Sequence, residues 1–180
     1  MGSTNSRTFP VNSYRGVARS KTRQILGSIP SGLPGIRQTL QHMRAFVDQY
    51  KTAPQVRELA LSLTRNLPQK AYSQEAEVIS EFVKNRIRYV RDINGVETVQ
   101  TPVKTLEYGA GDCDDKSTLL AAMLESLGFE TRFHAMGFRL GDISHVLLEC
   151  RIGDKWIALE TTEPVAMGWL PKNIRESMYG

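Results

Sequence analysis

Residues 109–128 read GAGDCDDKSTLLAAMLESLG and set one of only two cysteines, Cys113, among carboxylates where a helix begins. A thiol is a small apolar plug when buried and a nucleophile when ionised, with an ordinary pKa of about 8.5. The unpaired N–H groups and the macrodipole at a helix start favour the thiolate. Asp114 and Asp115 oppose it by charge, but first-turn carboxylates are also the usual partners of free helix N–H groups. Both are therefore expected to point around the helix end, away from the sulfur, leaving a histidine to set the local charge.

Three histidines are available. His42 lies in a helical stretch beside basic residues and reads as a surface group, and His134, in RFHAM, reads as a structural histidine in mid-strand. His145 opens SHVLLEC, where a strand end can meet the helix start that holds Cys113. Glu160, in KWIALET, follows across a Gly153-Asp154 turn. A two-residue hairpin there puts Glu160 opposite position 147, two residues from His145 and on the same sheet face. At that diagonal distance a carboxylate can accept a ring N–H and fix the tautomer of the imidazole. Cys150 has the opposite parity to His145 and reads as core. Asp112, Cys113, Asp114 and Asp115 are consecutive and no CxxC or HxxxH pattern accompanies them, so no metal centre is expected.

The elements that must position these residues fall in two halves. Ile36, Leu40, Met43, Phe46, Val47 and Tyr50 recur at helical steps, predicting a helix over 36–50. A second is expected from Pro54 to about Asn66, and a third over 74–88, capped by Ser73. The next twenty or so residues, YVRDINGVETVQTPVKTLEYGAG, carry turn chemistry and little periodicity, and are expected as a long functional loop. Leu119, Leu120, Met123, Leu124 and Leu127 then mark the Cys113 helix, ended by Gly128. Beyond it the period becomes two, predicting strands at 130–138, 144–152 and 155–161. The expected class is α+β, with N-terminal helices followed by a Cys-bearing helix packed on an antiparallel sheet.

At 180 residues the chain suffices for one domain with a real core, and no apolar run is long enough to span a bilayer. The net charge of +4 is uneven: residues 1–91 carry 15 Lys/Arg against 5 Asp/Glu, and residues 92–180 carry 8 against 14. Residues 1–30 are expected to be a basic, irregular, flexible arm, and 31–180 a single domain. Such an arm suits an acidic partner or nucleic acid, but only Phe9 and Tyr14 could stack on bases, so a solvated leader is the simpler expectation. The start MGSTNS fits the N-myristoylation pattern without any second membrane signal. Two cysteines suit a reduced, intracellular protein rather than a disulfide framework.

Together, GAGDCDDKSTLLAAMLESLGFETRF, SHVLLE and KWIALETT closely resemble the core of the transglutaminase-like superfamily, cysteine enzymes of papain-like fold. The likeness runs from about residue 30 to about 172; IRYVRDINGVETVQTP and the TEP…GW segment are most similar to versions in tailed phages and prophages. The resemblance implies that Cys113 is the nucleophile, His145 the general base and acid, and Glu160 the group that orients it, at a position where the family usually has aspartate. It implies acyl transfer on amide bonds without cofactor or metal: peptidase or amidohydrolase first, glutamine–amine transamidase second, a catalytically weak phage assembly module third. Gln100 and Tyr108 are the candidates for a side-chain oxyanion donor beside the Cys113 amide. The implied partners are peptide or protein amides and phage virion proteins, in the cytoplasm of a bacterial host or on a virion.

Overall fold

The computed structural model describes residues 32–91 and 98–180. The basic arm, with Phe9 and Tyr14, lies outside the described residues. Three helices come first: α1 (Leu33–Tyr50), α2 (Pro54–Thr64) and α3 (Tyr72–Arg86). Proline stands in the first turn of α1 and of α2, where the missing N–H would have no helical partner anyway. The stripe Leu40, Met43, Phe46 and Val47 of α1 is buried, as its spacing predicts. In α3 the N-cap is Ala71, without a side-chain cap, and Ser73 sits inside the first turn instead of capping it. A turn held by Ala71 N–H on the Pro68 carbonyl (3.3 Å) delivers the chain in helical register two residues earlier than the cap residue suggests.

The long irregular loop expected before Cys113 is partly ordered into secondary structure. It contains α4 (Pro102–Tyr108), capped by the Thr101 side chain and closed by Gly109 at φ 61°. A two-residue parallel pair flanks it, β1 (Arg88–Tyr89) with β2 (Ala110–Gly111). Seven helical residues are too few to display a period, but the Thr-Pro start and the glycine end are the chemistry of a short helix. Residues 92–97 of this stretch lie outside the described residues.

The central helix, α5 (Cys113–Ser126), is apolar on nearly every side, because α1, α2, α3, α4 and the sheet all pack on it. The sheet has the order β5-β4-β3-β6, with β3 (Thr131–Arg139), β4 (Asp142–Ile152), β5 (Lys155–Leu159) and β6 (Glu176–Tyr179), all antiparallel. The hairpin at Gly153-Asp154 pairs Ile152 with Lys155 and Leu148 with Leu159, the register its two-residue turn dictates. Phe133, Ala135, Val146, Leu148, Cys150 and Leu159 face α5 and form the core with its leucines. Each such large side chain contributes about 1.5–3 kcal/mol by leaving water. The fourth strand, β6, was not expected from ESMY, four residues that gain strand conformation only by pairing Ala135 with Met178 and Met136 with Ser177. Among the described residues no helix is long and apolar enough to cross a membrane.

Candidate active site

The start of α5 is built before its sulfur is placed. Asp112 is the N-cap, and its Oδ1 accepts the N–H groups of Asp114 (3.0 Å) and Asp115 (3.1 Å). Asp115 returns the bond, its Oδ2 accepting from Asp112 N–H at 3.3 Å, which completes a capping box. The same buried Asp115 carboxylate accepts the backbone N–H of Gln100 (2.6 Å) and its Nε2 (2.7 Å). The loop before α4 is thereby fastened to the first turn of α5. Gly111 leaves room for this: a Cβ there would come within 2.5 Å of Asp115 Cβ.

Cys113 is the first helical residue of α5, and in β4 its neighbour is Val146, the residue after His145. Ser117, one turn along, donates its hydroxyl to the Val146 carbonyl at 3.4 Å. The Cys113 thiol is held well above its ordinary range. Burial is the main cause, the charges of Asp114 and Asp112 add to it, and a backbone bond to Val146 opposes it. The expectation that both acids turn away from the sulfur holds for Asp115 and fails for Asp114. The Cys113 Sγ–H points at Asp114 Oδ1, 3.5 Å away. The capping bonds use Asp112 and Asp115, so the intervening Asp114 side chain is left on the cysteine's side.

Glu160 reaches His145 as the register predicts, with Nε2 and Oε2 2.6 Å apart. The other carboxylate oxygen accepts the backbone N–H (2.6 Å) and the hydroxyl (2.7 Å) of Thr162. Burial pushes the Glu160 carboxyl up, but the bond and charge of His145 and the two Thr162 donors outweigh it, holding it down at about 2. An ionised Glu160 accepts only, so Nε2 carries the proton and Nδ1 the lone pair of a neutral ring. The Glu160 side chain thus spans the gap to His145, with Thr162 fixing its other oxygen.

The two oxyanion candidates part company. Gln100 is tied into the α5 cap, and its Oε1 is buried without a hydrogen-bond partner. Tyr108 is 60% exposed, with Lys104 Nζ 4.4 Å from its ring centroid, so its side chain lies against Lys104 at the surface. His42 is half-buried on α1. His134 is a satisfied core histidine: Nδ1 meets Glu149 (2.9 Å), Nε2 meets Ser177 (3.0 Å), and Tyr179 stacks on the ring. Ser177 stands in extended edge strand with no helix start behind its amide, so this network fastens β6 to the sheet. Cys150 is fully buried in the core. Ligand-type atoms of Asp112, Cys113 and Asp114 lie within 4.8 Å of one another, but Asp112 Oδ1 is committed to two backbone N–H groups, and the cluster is the helix cap itself.

Sequence reasoning missed Thr162, Asp115 as the Gln100 clamp, and Lys116. The lysine carried a signal, since it interrupts the apolar side of a buried helix one turn from Cys113.

No curated protein matches the sequence. Among solved structures, a provisionally named protease from Parabacteroides distasonis superposes with a TM-score of 0.57 at 15% identity, covering 69% of this chain and 26% of that one. A provisionally named cysteine protease from Cytophaga hutchinsonii superposes with a TM-score of 0.51 at 21% identity, covering 71% of this chain and 47% of that one. The chain therefore spans about a quarter to a half of the length of these neighbours, and at such identities the likeness is one of fold. The sequence itself carries the family: the Transglutaminase-like superfamily matches residues 57–161, from α2 through Cys113 and His145 to just past Glu160, and the chain belongs to that superfamily.

Proposed function

We propose that this protein is a cysteine-dependent amidohydrolase or peptidase that uses Cys113 as nucleophile, His145 as general base and acid, and Glu160 as the orienting carboxylate. The observation that carries the proposal is the 2.6 Å bond from His145 to the buried Glu160, with His145 next along β4 from Val146, the backbone partner of the Cys113 thiol. With Nε2–H committed to Glu160, Nδ1 is the nitrogen free to take the thiol proton. The thiolate then attacks the amide carbonyl, and the imidazolium returns the proton to the leaving amine as the C–N bond breaks. Water, deprotonated by His145, hydrolyses the thioester and regenerates the thiol. The Cys113 backbone N–H, the first-turn donor that Asp112 does not take, is suited to the developing oxyanion, with Gln100 Nε2 beside the same cap.

A raised thiol pKa is compatible with this order of events, because the proton moves as substrate fills the site and excludes water. The same observation also favours a second reading, an assembly module that keeps the fold and has little activity. The resemblance of IRYVRDINGVETVQTP and TEP…GW to tailed-phage and prophage versions supports virion or host proteins as partners in either reading. Transamidation differs only in using an amine in place of water at the thioester.

The test is to incubate the protein with a proteome-derived peptide library and label new N-termini for mass spectrometry, with dansylcadaverine in a parallel reaction. New termini that vanish in Cys113→Ala and His145→Ala support hydrolysis, and dansyl incorporation supports transamidation. Neither product from folded protein, with biological function intact in Cys113→Ala, refutes the enzyme and leaves the module.

A further inference from the structure

His145 stands one residue after a break in its own strand. The β3–β4 hairpin turns through Leu140-Gly141, and the ladder keeps the register of that turn at both ends, pairing Arg139 with Asp142 and Met136 with His145. Between those pairs a regular ladder would match Gly137 with Ser144 and Phe138 with Ile143. Gly137 pairs with Ile143 instead, and Phe138 and Ser144 take no place in the ladder, one bulged residue on each strand. The strands can close in this way only at glycine, since a Cβ on residue 137 would run into the Asp142 carbonyl oxygen. The kink is also held from the β6 side, where Arg175 N–H donates to the Gly137 carbonyl (2.9 Å) and Glu176 Oε2 accepts the Gly141 N–H (2.7 Å).

Resting on the amidohydrolase reading above, we propose that this double bulge aims His145, with Gly137 and Ser144 as positioning residues of the site. Packing does not require the bulge. Ile143 turns toward the α5 core. A hairpin lacking Phe138 and Ser144 would still form every pair of the observed ladder and would keep Ile143 on that side, next to His145 and opposite to it in parity. The turn does not require it either, because the register is the same before and after. What the extra residues add is local: a bulge bends its strand and sharpens the right-handed twist, which re-aims the side chain beside it. His145 has use for that. Leu148 pairs with Leu159, so Glu160 stands opposite position 147 and only diagonal to His145. Residues so related lie about 7–8 Å apart along a regular ladder, within reach of long side chains but with no single orientation imposed. The bond of 2.6 Å from His145 Nε2 to Glu160 Oε2 needs one orientation of the ring, and the bent strand end sets it. The next residue, Val146, is the backbone partner of the Cys113 thiol, so base, orienting carboxylate and nucleophile are all placed from this one kink.

The test deletes Phe138 and Ser144 together and, separately, makes Gly137→Ala. Gly141→Ala is the control: it lies in the same hairpin at φ 77°, where a Cβ strains the turn but meets no neighbour to push on β4. Two NMR signals are read, the Nε2-bound proton of His145 at neutral pH and the Glu160 carboxyl carbon in an acid titration. In wild type the bond shelters that proton from exchange, and the carboxyl titrates at about 2. In the deletion variant and in Gly137→Ala, exchange with water broadens the proton away. The carboxyl midpoint rises by about one unit or more, about tenfold in proton affinity, as burial outweighs the weakened His145 bond. Gly141→Ala keeps both signals. A folded deletion variant with both signals unchanged overturns the proposal, as does a Gly141→Ala shift as large as that of Gly137→Ala. A deletion variant that does not fold also overturns it, because the two residues then serve the sheet itself. Should Gly137→Ala not fold, the deletion variant decides. Neither signal needs a substrate, so shifted signals beside a Cys113 that does no chemistry would remove the enzyme and leave the aiming of His145 standing.

Discussion

Replacing Asp114 with asparagine isolates the feature of the site that the chain sequence led us to misplace. The substitution keeps shape and removes one negative charge whose oxygen lies 3.5 Å from the Cys113 sulfur. Two unit charges at that separation interact by about 1.2 kcal/mol at the dielectric of water and about 4.7 kcal/mol at an effective value of about 20. Asp114 is only half-buried, so the lower part of that range applies, about 1–2.5 kcal/mol. The Cys113 midpoint should then fall by about one to two pH units, and at neutral pH the alkylation rate should rise by about tenfold or more. Iodoacetamide alkylation against pH, in a Cys150→Ser background, measures both. The remaining burial of Cys113 keeps its thiol above the ordinary range even so. Refutation is simple: an alkylation profile for Asp114→Asn that overlays the parent means the carboxylate does not act on the sulfur, and burial alone raises the thiol.

Other expectations follow from the same geometry. Glu160 has its carboxyl depressed to about 2, so it adds stability above the unfolded carboxyl value of about 4.3 that is lost as pH falls through about 2. Thermal melts of wild type should weaken over that interval by up to about 3 kcal/mol more than those of Glu160→Gln, and parallel pH curves for the two would contradict the ionised pair. Gly111→Ala forces a Cβ to 2.5 Å from Asp115 Cβ and should cost about 1–3 kcal/mol in chemical denaturation, with a loss of Gln100 amide protection in hydrogen exchange. Leu120→Ala, at a fully buried position of α5, should cost about 2–5 kcal/mol by urea unfolding, whereas Cys113→Ala, at the rim, should leave the unfolding midpoint nearly unchanged.

By itself the sequence determined more of this protein than its aperiodic first thirty residues suggest. The switch from a period of three or four to a period of two separates helices from sheet, because each pattern can bury its apolar side only in its own geometry. The Gly153-Asp154 turn fixes the β4–β5 register, and register alone brings Glu160 diagonal to His145. Asp112 as N-cap likewise places Cys113 at a helix start. What tertiary structure decided lies in residues whose partners are remote along the chain. The strand β6 exists because β3 offers it an edge, and ESMY has no strong preference of its own. Asp115 bonds Gln100, Lys116 reaches the carbonyls of α3, and Asp114 faces the sulfur. Local pattern cannot choose among such polar contacts, because each is set by where separate elements come to rest when the core closes and by how much water that closure leaves.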